Sequence, residues 1–339
     1  MASPTGGAGG DRLEPAAAAR PLRRRRSWRQ RAPVWGFQAG EAVVAVLPRR
    51  VADVIGGGIA AALVTMAPRR FDALRDNLRH VVPDADDKAM TKLVRQNVRN
   101  WARSWTDVLE MRSHPKRVTD RLTHFSGLHN YLEAVAEGRG VVVVSLHYGT
   151  WEAGLAAWNQ VGGDLALLAE KIEPPELFER LVGSRGALGV KVFPIDVAAM
   201  RSADPATSRR VGAAALRDVI KHLRGGGVIA IAIDRDLIGN GEPLPFFGRL
   251  APIPLGTVDI AMRAGAAIVP IVLERHHSTQ IAGAVYPRIS YDPAAPRADE
   301  VRRVALEILK LCEEVIRLHP DQWHVMDRVW TLPDGGAMA

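Results

Sequence analysis

Cysteine is nearly absent from this 339-residue chain, which has a single one at position 312. One cysteine excludes an internal disulfide and a metal site built from several cysteines. It is compatible with a reducing compartment. The remaining composition, 47% hydrophobic and 24% charged, is that of a globular protein. The length is sufficient to bury a substantial core.

A long uninterrupted apolar run is also lacking. The most apolar stretch, VADVIGGGIAAALVTM at 51–66, is shorter than the ~20 residues of a membrane-spanning helix, and it contains Asp53 and three consecutive glycines. We therefore predict one or two amphipathic helices over 34–67, lying on protein or in a membrane interface. A single marginal span is the alternative. Gln38 and Glu41 interrupt the apolar stretch after the N-terminal arginines, which argues against a signal peptide.

Acidic residues are too few to balance the basic ones, and the net charge is +8. This excess indicates an anionic partner: nucleic acid, an anionic membrane surface and a phosphorylated substrate all fit. Seven arginines lie between positions 20 and 31 in a Gly/Ala/Pro-rich leader, so we predict residues 1–32 to be disordered. A solvated basic tail and a membrane-surface role are both open for this leader. Trp28 and Trp35 beside the arginines favour the membrane interface for the helices predicted over 34–67. No recognition-helix or RNA-binding pattern accompanies the arginines, so no nucleic-acid partner is expected.

Short apolar segments alternate with helical patterns from residue 69 onward. The strand candidates are VVVVSL (141–146), LALLAE (165–170), VKVFPI (190–195), VIAIAI (228–233) and AAIVPIVLER (266–275). Strands this apolar are buried on both faces, so the intervening helices cover a mostly parallel or mixed sheet. The sequence predicts an α/β fold in one domain, residues 33–331, with a flexible tail at 332–339.

Motifs of several common enzyme classes are absent. Without a G-x-S-x-G elbow, a covalent serine hydrolase is disfavoured. No H-E-x-x-H, Walker A or post-strand G-x-G-x-x-G motif occurs either. His276 and His277 are adjacent and would point apart on a strand, so no metal site is expected there.

The strand at 141–146 is followed instead by a titratable pair, His147 and Glu152, in a His-x4-Glu spacing. Active groups of open α/β sheets lie at the carboxyl ends of strands. A turn at Gly149 and a helix start would fold Glu152 back onto the His147 ring. There a carboxylate fixes the tautomer and stabilises the imidazolium, while the other ring nitrogen accepts a proton from a hydroxyl. The alternative is a surface histidine beside an acidic residue that favours a helix N-terminus.

A second group of charges follows the strand that ends at residue 233. Asp234, Arg235 and Asp236 lead into a loop that contains Phe246 and Phe247. Charges at the end of a buried strand need partners, which indicates a polar pocket rimmed by an aromatic loop. An ordinary Asp–Arg surface turn is the alternative.

The strand at 165–170 and the helix after it carry two further candidates. Glu170 closes this strand, and Arg185 lies on the helix. The Arg185 guanidinium is suited to bidentate phosphate binding. As an ordinary helix arginine it would instead extend over apolar surface.

Five stretches stand in the order found in one known family: HYGTWE (147–152), AEKIEPPELFERLVGSRGALGVKVFP (169–194), DRDLIGNGEPLPFFG (234–248), RAGAAIVPI (263–271) and PDQWHVMDRVW (320–330). Over residues 34–331 the chain resembles the bacterial lipid A biosynthesis acyltransferases, most closely the actinobacterial branch of phosphatidylinositol mannoside acyltransferases. The resemblance implies a glycerolipid-acyltransferase-type α/β fold. It also implies acylation of a phosphorylated glycolipid by acyl-CoA at the cytoplasmic face of the plasma membrane, with an anionic membrane surface as partner and no cofactor or metal.

The resemblance also implies roles for individual residues. His147 matches the catalytic histidine, Glu152 its acidic partner, and Asp234 an acidic residue near the histidine. The implied substrate-binding positions are Glu170, Arg185, Arg235, Asp236, Phe246 and Phe247. Backbone N–H groups at the helix start after Gly149 are candidates to stabilise an oxyanion.

Two positions depart from the family pattern. The mannoside branch usually has Asp where this chain has Glu152, and the frequent Gly-Asn-Trp is here Gly149-Thr150-Trp151. A lipid A-type disaccharide or another glycolipid is therefore the alternative acceptor. A non-enzymatic basic protein that binds membrane surfaces is the alternative from another class.

Overall fold

A computed structural model of the chain describes residues 28–277 and 280–332. The α-helices are α1 Trp28–Val46, α2 Arg49–Met66, α3 Asp72–Val81, α4 Asp87–Met111, α5 Pro115–Thr119, α6 Leu128–Ala136, α7 Trp151–Val161, α8 Pro175–Gly186, α9 Val197–Met200, α10 Pro205–Arg224, α11 Gly256–Ala264 and α12 Arg297–Leu318. The strands are β1 Leu122–Ser126, β2 Val141–Ser145, β3 Leu165–Glu170, β4 Lys191–Ile195, β5 Val228–Ala232, β6 Glu242–Phe246, β7 Arg249–Ile253, β8 Ala267–His277 and β9 Gln280–Val285. Short 3₁₀ helices cover Pro68–Phe71 and Pro320–Gln322.

Seven strands form the central sheet in the order β1-β9-β8-β2-β5-β3-β4. Neighbouring strands run parallel except β8 and β9, which pair antiparallel. β6 and β7 form a separate antiparallel hairpin. The predicted α/β fold with a mostly parallel sheet is confirmed. Because β2 and β5 are parallel neighbours and Ser145 is paired with Ala232, the residues that follow these strands meet at one edge of the sheet.

Helices cover both faces of this sheet. Side chains alternate along a strand, and the four valines of β2 accordingly divide between two apolar layers. Val142 and Val144 pack in the layer built by α10, α11 and α12. Val141 and Val143 pack in the layer built by α5, α6 and α7. Burial on both faces is the physical reason that β2 is apolar at every position from 141 to 144.

The N-terminal helices α1 and α2 both pack against α4. Helix α1 begins at Trp28, so positions 28–32 of the predicted disordered leader are helical, while residues 1–27 and 333–339 lie outside the described part. Helix α2 leaves apolar side chains outside, with Val54 75% and Met66 83% exposed. Within the described ranges no single helix has the length and apolarity of a membrane span. In these ranges the length and the apolarity are both met only by α2 combined with the segment Pro68–Val81. The two segments are bent by 107° relative to each other.

Candidate active site

His147 and Asp234 lie side by side at the carboxyl edge of the sheet. The Nδ1 atom of His147 is 2.8 Å from Oδ1 of Asp234, and the His147 backbone N–H donates to Oδ2 at 2.9 Å. The indole N–H of Trp323 donates to the same Oδ2 at 2.9 Å. Three contacts therefore fix the Asp234 carboxylate beside the imidazole.

The electrostatics of this pair suit a general base. Asp234 is buried, and burial alone would raise its pKa. The charge of His147 and the hydrogen bonds from His147 and Trp323 outweigh that effect, so the pKa of Asp234 lies below its usual value and the group is ionised. Its carboxylate accepts the Nδ1 proton, which leaves the Nε2 lone pair as the proton acceptor. The His147 side chain is 34% exposed, and Nε2 has no partner among the described residues.

The predicted contact between Glu152 and the His147 ring is wrong. Glu152 lies in the first turn of α7, where its Oε1 is 2.6 Å from Nη2 of Arg185 on α8. Both side chains are nearly buried, and the Arg185 guanidinium lies 5.4 Å from the centre of the Trp151 ring. A buried cation requires a partner, so Glu152 neutralises Arg185. The guanidinium predicted to bind phosphate is accordingly already engaged.

Glu170 and Arg235 lie near each other because Glu170 ends β3 and Arg235 follows the neighbouring strand β5. One nitrogen of Arg235 is 3.7 Å from Glu170, and another is 2.6 Å from Asp327. Both predicted residues are about one-third exposed. They form a partly exposed polar rim.

Asp236, predicted to bind substrate, organises its own loop instead. Its Oδ1 accepts the backbone N–H groups of Ile238 at 3.2 Å and Gly239 at 2.8 Å. Its Oδ2 accepts the N–H of Gly241 at 2.8 Å. With both oxygens committed to the backbone, the side chain shapes the segment between β5 and β6.

The two predicted aromatic residues differ in their surroundings. Phe246 is fully buried, so it does not line a substrate surface as predicted. It packs edge-on against Trp323 and stacks on Trp330, and thereby supports the indole that binds Asp234. Phe247 has a left-handed backbone, with φ of 50°. Its N–H donates to Glu313 at 2.6 Å, which holds the turn between β6 and β7 against α12.

The backbone N–H groups at the predicted oxyanion site are partly used within the protein. The Gly149 N–H donates to the carbonyl of Gln322 at 2.8 Å, and the Thr150 N–H donates to the carbonyl of Leu273 at 3.2 Å. The first helical residues, Trp151 and Glu152, have N–H groups without an acceptor in the described part of the chain. The N–H groups of Trp151 and Glu152 are therefore the two groups at this helix start that are available to an oxyanion.

Sequence reasoning did not assign Trp323 to the site. It lies in the PDQWHVMDRVW stretch, but 89 residues separate it from Asp234, and no local pattern joins them.

Across residues 28–277 and 280–332, no three His, Cys, Asp or Glu side chains are grouped so as to hold a metal ion.

Known proteins resemble this chain along most of its length. Residues 23–331 match the family model of the bacterial lipid A biosynthesis acyltransferases. The chain is 25% identical over 304 residues to phosphatidylinositol mannoside acyltransferase of Mycobacterium tuberculosis strain H37Rv, covering 87% of this chain and 88% of that protein. It is 24% identical over 301 residues to lipid A biosynthesis lauroyltransferase of Escherichia coli K12, covering 86% and 90%. Among solved structures it matches the 1-acyl-sn-glycerophosphate acyltransferase PlsC of Thermotoga maritima, with 14% identity, a TM-score of 0.35, and 79% of this chain and 99% of that chain covered.

Proposed function

Since the chain belongs to the bacterial lipid A biosynthesis acyltransferase family, we propose that it transfers a fatty acyl chain from acyl-CoA to a sugar hydroxyl of a phosphatidylinositol mannoside. Family and relatives make the chain an acyltransferase, so the non-enzymatic alternative is set aside. The observation that carries the reaction is the open Nε2 of His147, whose opposite nitrogen is held by a buried carboxylate.

The reaction follows from this arrangement. Nε2 of His147 takes the proton of the acceptor hydroxyl while the hydroxyl oxygen attacks the thioester carbonyl carbon. Asp234 stabilises the imidazolium that forms. As the tetrahedral intermediate collapses, the carbon–sulfur bond breaks and the proton passes from Nε2 to the leaving sulfur. The products are an O-acyl ester and free CoA. The N–H groups of Trp151 and Glu152 are our candidates to stabilise the oxyanion.

The acceptor assignment is supported by the mycobacterial relatives that carry this name, at 24–25% identity over 87% of the chain. Arg235 also suits a phosphorylated headgroup, because it is partly exposed and adjoins Asp234, the partner of His147. We assign Arg235 to the acceptor phosphate and Glu170 to a sugar hydroxyl. The lipid A lauroyltransferase relative makes a glucosamine disaccharide the competing acceptor.

The membrane role rests on the outer surface of α1 and α2. Exposed apolar side chains along these helices are Trp35, Val43, Val46, Val51, Val54, Ile55, Ile59, Leu63 and Met66. Arg50, Arg69 and Arg70 are exposed beside them and suit anionic headgroups. We propose that this face lies in the interface of the plasma membrane on its cytoplasmic side, as a peripheral or monotopic attachment.

An acceptor-dependent assay of CoA release tests the proposed reaction. Purified protein is mixed with a long-chain acyl-CoA and either a phosphatidylinositol mannoside or a lipid A-type disaccharide, and the free thiol is measured. We expect release with the mannoside and none from His147→Ala protein. Release with the disaccharide alone would overturn the acceptor assignment, and no release with either would overturn the proposed reaction.

Flotation with vesicles tests the proposed membrane face. Wild-type protein should float with vesicles rich in phosphatidylglycerol, and the double variant Val54→Asp/Ile59→Asp should remain behind. Leu318→Asp places an aspartate at an exposed leucine on α12, away from this face, and should float normally. Equal flotation of the double variant and wild type would contradict the assignment of this face.

A further inference from the structure

The turn that follows His147 is tied to a buried carboxylate that the mechanism above does not use. The Thr150 hydroxyl donates to Oδ2 of Asp107, on α4, at 2.6 Å. Both residues are fully buried, and Thr150 is three positions after His147. The Thr150–Asp107 hydrogen bond therefore joins the interior of α4 to the active-site turn.

This use of Thr150 is not the one its position favours. Thr150 is the residue before the first turn of α7, where a threonine hydroxyl normally accepts a backbone N–H of that turn and stabilises the helix. The Thr150 side chain makes no such cap, because its hydroxyl is directed to Asp107. Stability of α7 alone does not account for that orientation.

Asp107 is itself held rigidly. Its Oδ1 contacts Arg49 at 2.5 Å and Arg121 at 3.0 Å, and its Oδ2 contacts Arg275 as well as Thr150. Burial would raise the pKa of Asp107, but attraction to Arg275 and Arg49 and the Thr150 hydrogen bond lower it below its usual value. Asp107 is therefore an ionised acceptor whose position is set by arginines of α2 and β8 and by Arg121, the residue before β1.

The other contacts of the turn show what Thr150 adds to it. Ser104 on α4 donates to the Gly149 carbonyl at 2.7 Å, and the Gly149 and Thr150 N–H groups bind carbonyls of other segments. All of these contacts hold backbone atoms. The Thr150 hydroxyl adds a hydrogen bond from a side chain of the turn to the buried carboxylate of Asp107.

We propose that Thr150 and Asp107 are positioning residues for acyl transfer, and that their hydrogen bond sets the turn so that His147 stays aligned with Asp234 and the incoming hydroxyl. This inference rests on the proposed function for its kinetic consequence. It does not depend on which glycolipid accepts the acyl chain. Misplacing a reacting group by about 1 Å costs up to about 10²-fold in rate, which is the scale of effect to expect.

The test compares Thr150→Val, which removes the hydroxyl and keeps the shape, with Thr150→Ser, which keeps the hydroxyl. We expect Thr150→Val to lower kcat about 10-fold or more, with each KM changed less than about threefold. The kcat of the Thr150→Ser variant should stay within about threefold of the wild-type value, because serine keeps the hydroxyl. Thr106→Val is the matched control, because Thr106 is also buried and adjoins Asp107, while its hydroxyl donates to the Ala102 carbonyl of its own helix.

A second measurement needs no substrate. The Nδ1 proton shared by His147 and Asp234 should give a low-field proton resonance. Thr150→Val should shift or broaden it, while Thr150→Ser and Thr106→Val preserve it. An unchanged resonance together with wild-type kcat in Thr150→Val would overturn the proposal. A kcat loss shared equally by Thr106→Val would also overturn it. If wild-type protein transfers no acyl chain, the proposed function fails, and the resonance alone decides the role of Thr150.

Discussion

His147 is paired with Asp234, which is 87 residues further along the chain, and not with the carboxylate five residues away. The pairing is a consequence of strand order, because β2 and β5 are parallel neighbours and each delivers its next polar residue to the same edge. Glu152 is occupied by Arg185 on α8. The relay that we propose therefore joins two strand ends, and the His-x4-Glu spacing describes a histidine beside a buried ion pair.

Replacing the carboxylate of Asp234 with an amide tests the relay. The Asp234→Asn side chain keeps the native size but cannot stabilise the imidazolium, so we expect kcat to fall by about 10²-fold or more. The measurement is the rate of acyl-CoA-dependent transfer across pH. Asp218→Asn, at an exposed position on α10, should leave the rate unchanged. Wild-type rates in Asp234→Asn would contradict the relay.

The Glu152–Arg185 pair yields a stability prediction. Glu152→Gln leaves a buried guanidinium without its partner, which should cost about 3 kcal/mol in the free energy of unfolding. The double variant Glu152→Met/Arg185→Met removes both charges and should recover most of that loss. Chemical unfolding measures the two values. The folded double variant should also keep the low-field proton resonance of the His147–Asp234 pair. Loss of that resonance in the double variant would instead place Glu152 in the relay.

Gly149 allows the close approach of the turn to β8. A Cβ at this position would lie 1.8 Å from the Leu273 carbonyl oxygen, and the backbone φ is +59°. We expect Gly149→Ala to destabilise the protein by more than about 2 kcal/mol and to abolish transfer. Gly183→Ala is the matched control, since it lies in α8 with open space around it and should stabilise the helix by about 0.5 kcal/mol or more. Normal activity in Gly149→Ala would show that the turn tolerates displacement.

His324 predicts a dependence of stability on pH. Burial, then the charges of Arg275 and His147, lower its pKa from 6.5 to about 3. Below pH 6.5 the unfolded chain therefore binds a proton that the folded protein does not, and stability is lost as the pH falls toward 3. Between pH ~6.5 and ~5 the loss from this group should be about 2 kcal/mol.

The measurement for His324 is the free energy of unfolding at several pH values. His324→Asn offers an amide that can donate to Asn97, the partner of the native Nδ1, and should flatten the profile in this range. An equally steep profile in His324→Asn would assign the pH dependence to other groups.

Strand identity can be predicted locally because burial on both faces imposes an apolar pattern. The pattern at 165–170 predicts a strand, and β3 has the same bounds. The hairpin of β6 and β7 is not predictable in this way, since two prolines interrupt its first strand and Phe247 takes a left-handed backbone that its sequence does not signal. The burial of Phe246 is not predictable from the adjoining residues either, because its partners Trp323 and Trp330 lie far along the chain. Asp236 differs, since the backbone N–H groups that it binds belong to Ile238, Gly239 and Gly241 in its own loop.

Residue type and spacing along single segments are enough to establish most strands and helices of this protein, the position of His147 after an apolar strand, and the family to which the chain is similar. The pairing of Asp234 with His147, of Glu152 with Arg185, and of Trp323 with the relay carboxylate is decided by the fold instead. Those pairings depend on which strands and helices become neighbours, and that order is set by the packing of the two apolar layers around the sheet.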